Sequence, residues 1–197
     1  MPRLFTALEI PRDAALSLSL LRGGLSGARW IDVENYHLTL RFFGDIEGRV
    51  ADEIANALDR VHRPSFQLTL SGVGAFGGKK PHAVWAGVAT SPDLVALQGE
   101  IDRICQRLGL PADPRKFSPH VTLARLRNAS PLDVAQYLSA RGNFSAQPFR
   151  VGRFVLMSSR DSVGGGPYIV EEAWPLAGEA LASSRFASAS DASRIMR

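Results

Sequence analysis

The sequence predicts an α+β fold with antiparallel sheets. Two observations point to it. Short strand patterns alternate with helical patterns along the 197 residues, and several strand candidates follow one another through turns rich in Gly and Pro, as at 77–81. Strands joined as hairpins and mixed with helices favour α+β over a doubly wound parallel sheet. The length allows one sizeable core or two small lobes.

In the first half of the chain, LFTALEI (4–10) is predicted as a strand, and 12–25 has the helical period and is closed by glycine. HLTLRFF (37–43) is the next strand, and Gly44–Asp45 turns the chain into a helix around 48–61. FQLTLSGV (66–73) alternates apolar and polar residues, which is typical of a half-buried strand.

In the second half, HAVWAGV (82–88) is a strand, and a helix follows at 93–108. After a loop rich in Pro and Asp come the strand HVTLARL (120–126) and a helix at 132–141. The last two strands, at 149–159 and 168–176, are predicted to pair antiparallel. The Ala/Ser/Arg-rich segment 178–197 is predicted to be a disordered tail, which leaves a single domain over 1–177.

Composition excludes several classes of protein. No stretch approaches the roughly 18–20 apolar residues that span a bilayer, and the N-terminus lacks the pattern of a secretory signal. We therefore expect a cytoplasmic protein with no membrane partner. The single cysteine, Cys105, excludes an intramolecular disulfide, and its place on the apolar face of a helix predicts a core residue. The net charge of +4 favours an anionic ligand without proving one.

The most informative feature is a repeated tetrapeptide, HLTL at 37–40 and HVTL at 120–123. With four His and five Thr in the chain, chance would give about 0.1 His-x-Thr patterns. Side chains at i and i+2 of a strand share a face, so each motif presents an imidazole beside a hydroxyl. Two half-buried histidines on ordinary strands are the simpler alternative.

Two such strands meeting at a cleft would supply the groups for phosphodiester cleavage without a metal. Histidine titrates near pH 6.5, so one ring can accept a proton from water while the other donates one to the leaving oxygen. Threonine hydroxyls can hold the non-bridging phosphate oxygens. The motifs therefore predict a paired acid and base at His37 and His120, with Thr39 and Thr122 beside them.

The chain resembles the bacterial and archaeal RNA 2′,3′-cyclic phosphodiesterases, also called the 2′-5′ RNA ligase or LigT family, within the 2H phosphoesterases. The matching stretches are RLFTALEIP, Trp30 followed by ENYHLTLRFFGD, FGGKKPHAVWAGV, KFSPHVTLARLR, VLMSS and PYIVEEAWPL. They cover roughly residues 3–176 in consistent order. The resemblance implies two pseudo-symmetric lobes, each an antiparallel sheet with helices outside, and an active-site cleft between them.

The resemblance also implies residue roles. His37 would be the proton donor to the leaving 3′ oxygen and His120 the proton acceptor that activates water, which leaves a terminal 2′-phosphate. Thr39, Thr122 and Arg125 would bind the phosphate. Strict alternation places Arg125 on the face opposite His120. To contact the phosphate, Arg125 would need a β-bulge in the strand or the reach of its long side chain. The alternative is that Arg125 is an ordinary surface residue.

Phe42 stands five residues after His37, as Arg125 does after His120, and could stack on a base of the substrate or belong to the core. At most one of Phe42 and Phe43 should face the cleft. His82 stands where relatives usually carry an arginine, and Lys79 and Lys80 could supply the missing charge.

Several alternatives remain open. The same residues could run the reverse 2′-5′ ligation, act on small cyclic nucleotide phosphates, or only bind RNA ends. A metal site on His37, His120 and His82 is disfavoured because neither motif has a carboxylate at ligand spacing. We therefore expect no cofactor, no metal and a monomer that binds RNA ends or nucleotides with a 2′,3′-cyclic phosphate.

Overall fold

The computed structural model describes residues 3–159 and 167–178. Apart from its first residue, the predicted tail 178–197 lies outside these residues, as does the segment 160–166 between the last two strands. In chain order, the strands are β1 Arg3–Glu9, β2 Ala28–Trp30, β3 His37–Asp45, β4 Phe66–Leu68, β5 Leu70–Phe76, β6 Ala83–Val88, β7 His120–Leu126, β8 Phe149–Val151, β9 Arg153–Ser159 and β10 Tyr168–Pro175. The helices are α1 Arg12–Ser19, α2 Gly48–Leu58, α3 Pro92–Arg107 and α4 Pro131–Arg141.

Eight strands form one antiparallel sheet, and its centre is the pairing of β3 with β7. The order is β10-β9-β1-β3-β7-β6-β5. The short strand β2 pairs with the C-terminal part of β7, at residues 124–126. Between β3 and β7 only one register pair is made, Leu38 with Val121. The sheet thus consists of a first half (β10, β9, β1, β3) and a second half (β2, β7, β6, β5) of four strands each. This confirms the predicted α+β class and its antiparallel sheet.

The helices cover one face of the sheet in two pairs. Tyr137 of α4 donates a hydrogen bond of 2.9 Å to the carbonyl of Leu21, just beyond α1. The other pair is α2 with α3, beside which the Arg63 guanidinium contacts Glu100 at 2.5 Å. The main apolar core lies between these helices and the sheet, and it includes Leu38, Leu40, Val121 and Leu123. The opposite face of the sheet carries the motif histidines.

Most predicted elements are present, and the differences have local causes. The first helix ends at Ser19 rather than at residue 25. It could not in any case continue through Gly23 and Gly24, whose φ of +91° and +72° lie outside the helical region. The predicted strand 66–73 is two strands, because its first part leaves the large sheet to pair with β8. The three-residue strand β2 escapes prediction, since it is too short for a periodic signal.

Helices α3 and α4 both begin at a Ser-Pro pair. The Ser91 side chain accepts a hydrogen bond of 3.2 Å from the Leu94 amide, and the Ser130 side chain one of 3.2 Å from the Leu132 amide. The proline occupies the first helical position, where no amide proton is needed. Cys105 of α3 is fully buried in the core, as predicted, and burial raises the pKa of its thiol to about 11. None of the helices in the described segments could cross a membrane.

Candidate active site

The two His-x-Thr motifs lie side by side at the centre of the sheet. Leu38 and Val121 are direct partners across β3 and β7, and both are completely buried on the helix face. His37 and His120 immediately precede them, so both imidazoles point to the open face. In an antiparallel pair this register sets His37 opposite Thr122 and Thr39 opposite His120. The register thus places two histidines and two threonines together at the centre of the sheet.

Each imidazole is held by a backbone carbonyl two residues earlier. His37 Nδ1 lies 2.8 Å from the carbonyl oxygen of Asn35, and His120 Nδ1 lies 2.7 Å from that of Ser118. A carbonyl can only accept, so each Nδ1 must carry the proton. In the neutral ring Nε2 is therefore the free acceptor, and it is the atom turned away from the strand. Both rings are fixed in the tautomer that a proton acceptor requires.

Aromatic rings surround both histidines. The His37 ring lies 5.0 Å from Phe5 and 4.6 Å edge-on from Tyr168. The His120 ring lies 4.8 Å edge-on from Phe76 and 6.0 Å from Trp85. These contacts exclude water from one side of each imidazole and restrict its rotation. The four aromatic residues carry no sequence signal that marks them as site residues, because aromatic residues in strands are most often core.

Trp85 rests on a glycine of the neighbouring strand. It pairs with Gly74 across β5 and β6, and a Cβ on Gly74 would come within 2.2 Å of the indole ring. Only glycine leaves room for the ring to lie flat there. Trp85 is also the register partner of Thr122, so the indole supports the second motif from the side.

Arg125 reaches the histidine face through a β-bulge. Val84 pairs with Ala124 and Trp85 with Thr122, so Leu123 has no partner on β6. The two successive residues Leu123 and Ala124 are both fully buried, and the alternation then resumes with Arg125 exposed. One extra residue in a strand shifts every later side chain to the other face. The bulge that the predicted role of Arg125 requires is present.

The same bulge occurs at the same place in the first motif. Ala7 pairs with Thr39 and Thr6 with Arg41, so Leu40 has no partner on β1. Leu40 and Arg41 are both buried, and Phe42 emerges with 46% of its surface exposed. Its ring stacks over Phe5 with centroids 6.5 Å apart and an interplanar angle of 24°. Phe43 packs against the core, so one of the two phenylalanines faces the open side, as predicted.

Burial and positive charge together hold both histidines neutral. Burial lowers the pKa of His37 to about 4, and the positive charge of Arg125 lowers it further. Burial likewise lowers the pKa of His120, and Arg125 adds to the effect. Arg125 therefore lies close enough to act on both rings. In the free site at neutral pH, two neutral imidazoles stand beside one guanidinium, and the local charge is positive.

The depressed pKa of His37 predicts a specific loss of stability in acid. The unfolded chain binds a proton near pH 6.5, whereas the folded chain does so only near pH 4. The stabilisation is therefore complete above pH 6.5 and lost as the pH falls through about 4. We expect the free energy of unfolding to drop by up to about 3 kcal/mol from this group across that window. Urea unfolding at pH 7.5, 5 and 4 measures it. His37→Gln should flatten the decline, and an equal decline in the variant would contradict it.

The remaining predicted residues lie at the edge of the site. His82 is exposed, and its ring stacks on Phe76 with centroids 6.3 Å apart. Lys79 and Lys80 are exposed in the turn between β5 and β6. Within residues 3–159 and 167–178, no group of three His, Cys, Asp or Glu side chains is arranged to hold a metal ion.

Comparison with known proteins agrees with this geometry. The sequence model of the 2′-5′ RNA ligase superfamily matches residues 25–162, which include both motifs and the two bulges. The chain belongs to the 2′-5′ RNA ligase superfamily. It is 38% identical over 122 residues to the RNA 2′,3′-cyclic phosphodiesterase of Aeropyrum pernix, covering 61% of this chain and 69% of that one. The enzyme of the same name from Archaeoglobus fulgidus is 28% identical over 162 residues, or 78% and 92% of the two chains.

Solved structures of superfamily members have the same fold. Escherichia coli LigT complexed with 3′-AMP superposes with a TM-score of 0.70 at 26% identity and covers 90% of this chain and 99% of that one. The same protein complexed with NADP⁺ gives a TM-score of 0.72 at 25% identity, over 89% and 97% of the chains. The superfamily fold therefore extends over nearly the whole described part of this chain.

Proposed function

We propose that this superfamily member hydrolyses the terminal 2′,3′-cyclic phosphate of RNA to a 2′-phosphate end, with His37 and His120 as acid and base and without a metal ion. The observation that carries the proposal is the paired arrangement of two carbonyl-anchored imidazoles, each with a threonine beside it and with Arg125 at their side. The names of the matched relatives from Aeropyrum pernix and Archaeoglobus fulgidus support the same reaction.

The reaction runs in one displacement at phosphorus. His120 Nε2 takes a proton from a water molecule, and the water oxygen forms a bond to phosphorus while the bond from phosphorus to O3′ breaks. His37 gives its Nε2 proton to O3′, which leaves as the 3′-hydroxyl. The phosphate stays on O2′. Thr39, Thr122 and Arg125 hold the non-bridging oxygens, whose charge rises in the transition state.

The negative charge of the bound substrate favours the protonated form of His37 that general-acid catalysis requires. In the free site the pKa of His37 is about 4, and the ring is neutral at neutral pH. A cyclic phosphodiester carries one negative charge, and an adjacent anion raises the pKa of a histidine. Binding therefore favours protonation of the ring beside the leaving oxygen. We expect the His37 ring signal in NMR to titrate at higher pH when a 2′-phosphate product is bound than in the free protein.

Phe42 provides a surface for the base of the terminal nucleotide. It is exposed, stacked on Phe5 and placed at the position in the first motif that Arg125 occupies in the second. Aromatic stacking is the usual way in which proteins hold unpaired bases. The site thus has a charged group for phosphate on one side and an aromatic group for the base on the other.

The test is incubation of the purified protein, in EDTA, with an oligoribonucleotide that ends in a 2′,3′-cyclic phosphate. We expect conversion to an end that resists a 3′-specific phosphatase and is removed by a general one. Joined products from added 5′-hydroxyl RNA would reveal ligation. Turnover of a cyclic mononucleotide alone would identify a smaller substrate, and RNA binding without turnover would identify a binding protein. Activity abolished by EDTA would exclude the metal-free mechanism.

A further inference from the structure

A row of four residues crosses the second half of the sheet on its open face. Phe76 of β5 pairs with Ala83 of β6, and Ala83 pairs with Arg125 of β7. On its other side Arg125 pairs with Arg29 of β2. Direct partners in antiparallel strands point to the same face. Because the bulge has turned Arg125 to the histidine face, Arg29 lies on that face too.

The pairing of Arg29 with Arg125 places two guanidinium groups directly opposite each other. Both residues are exposed. Two exposed guanidinium groups on the face of the motif histidines place several hydrogen-bond donors there, in the planar arrangement that suits phosphate oxygens. The neighbours of Arg29 in β2 show why it faces outward. Ala28 and Trp30 pack against the core, opposite the buried Leu126 and Ala124.

The first half of the sheet is different on the same face. There Phe5, Ala7, Val155 and Met157 form a separate apolar cluster, with Tyr168 packed against it. The arginines on this face of the first half, Arg3 and Arg153, each form an ion pair, with Asp45 and Glu9 respectively. In the second half, Arg125 and Arg29 lie in line on the same face. A substrate with a base and a backbone would place its base on the apolar half and its phosphates along the charged half.

We propose that Arg29 binds the phosphodiester on the 5′ side of the terminal nucleoside, so that the site selects RNA ends over mononucleotides. This inference rests on the proposed function. Neighbouring strands lie about 4.8 Å apart, within the reach of an arginine side chain, so two adjacent arginines suit two successive phosphates of one strand. A guanidinium can give two parallel hydrogen bonds to a phosphate. Arg125 holds the reacting phosphate and Arg29 the next one along the chain.

A second positive surface allows a sharp comparison. The turn between β5 and β6 carries Lys79 and Lys80, both exposed and unpaired with any carboxylate of the described residues. The turn is tight: the Lys80 amide donates a 2.8 Å hydrogen bond to the Gly77 carbonyl, and a Cβ on Gly77 would lie 2.2 Å from the Lys80 carbonyl oxygen. It lies at the opposite end of the row from Arg29. RNA leaving the site in that direction would contact the lysines instead.

The experiment compares two substrates that differ by one phosphodiester. They are a nucleoside 2′,3′-cyclic phosphate with a free 5′-hydroxyl and a dinucleotide that ends in the same cyclic phosphate. We expect Arg29→Ala to raise KM for the dinucleotide about tenfold with kcat nearly unchanged, the size of a lost charged hydrogen bond. The variant should stay within twofold of wild type on the mononucleoside substrate. The salt dependence of log kcat/KM for the dinucleotide should become shallower by about 0.7.

The controls remove charge elsewhere. Arg103→Ala takes a guanidinium from α3 on the far side of the sheet, and Lys79→Ala/Lys80→Ala removes the turn charges. Both should leave the dinucleotide preference intact, and Arg29→Lys should restore part of it. An equal loss on both substrates, or no loss on either, would overturn the inference. Loss of the dinucleotide preference in Lys79→Ala/Lys80→Ala, rather than in Arg29→Ala, would also overturn it. If wild type cleaves neither substrate, the proposed function itself fails.

Discussion

Alanine at either motif histidine is expected to lower kcat on RNA ending in a 2′,3′-cyclic phosphate by about 10²–10⁴-fold, the usual contribution of a positioned acid or base. The physical reason is the anchored tautomer. Each ring presents one free Nε2 to the open face, and no other imidazole is held in the same way by the described residues. Single-turnover rates measured with wild type, His37→Ala and His120→Ala check it.

The double variant should lose far less than the product of the two single losses, because both rings act in the same displacement. His62→Ala is the matched control. His62 is exposed in the loop four residues beyond the end of α2 and lies outside the site. The activity and unfolding midpoint of His62→Ala should therefore equal those of wild type. Undiminished activity in the double variant His37→Ala/His120→Ala would contradict the acid and base roles of the two histidines.

Loss of the buried arginine beneath the first motif should cause the largest fall in stability. Arg41 is turned into the core by the bulge, and 5% of its surface is exposed. It forms an ion pair with Asp102 of α3 and donates a hydrogen bond of 2.5 Å to the Pro111 carbonyl. Replacing it by methionine leaves the carboxylate of Asp102 largely buried without its partner. We expect a loss of about 3 kcal/mol in the free energy of unfolding.

Urea denaturation of Arg41→Met, Asp102→Leu and the double variant measures this effect. The double variant should recover much of the loss, because removing both partners leaves no unpaired buried charge. Arg49→Met is the control: Arg49 pairs with Glu53 on the exposed surface of α2 at 3.1 Å, and breaking that pair should cost about 0.5 kcal/mol. Equal losses at positions 41 and 49 would show that Arg41 contributes no more than a surface pair.

The bulges link the buried ion pair of Arg41 and Asp102 to the arrangement of the site residues. In the first motif the bulge sends Leu40 and Arg41 inward together and brings Phe42 out. In the second it sends Leu123 and Ala124 inward and brings Arg125 out. The residues at the fifth position after each histidine, Phe42 and Arg125, therefore lie on the histidine face only because the third and fourth residues both face the core.

Much of this protein is readable in its sequence. The α+β class follows from strand and helix periods, because apolar residues must recur at those periods to be buried. The candidate catalytic pair follows from His-x-Thr, because residues two apart on a strand share a face. The core position of Cys105 follows from its place on the apolar face of a helix.

Other features are decided only by tertiary structure. Alternation alone puts Arg125 on the wrong face, since a bulge depends on how β7 pairs with β6 and not on its own residues. The pairing of Arg29 with Arg125 arises because β2, three residues long, adds to a strand almost a hundred positions away. The low pKa of His37 depends on rings and charges from several strands. Local patterns specify which residues share a face, and only long-range pairing determines which faces meet.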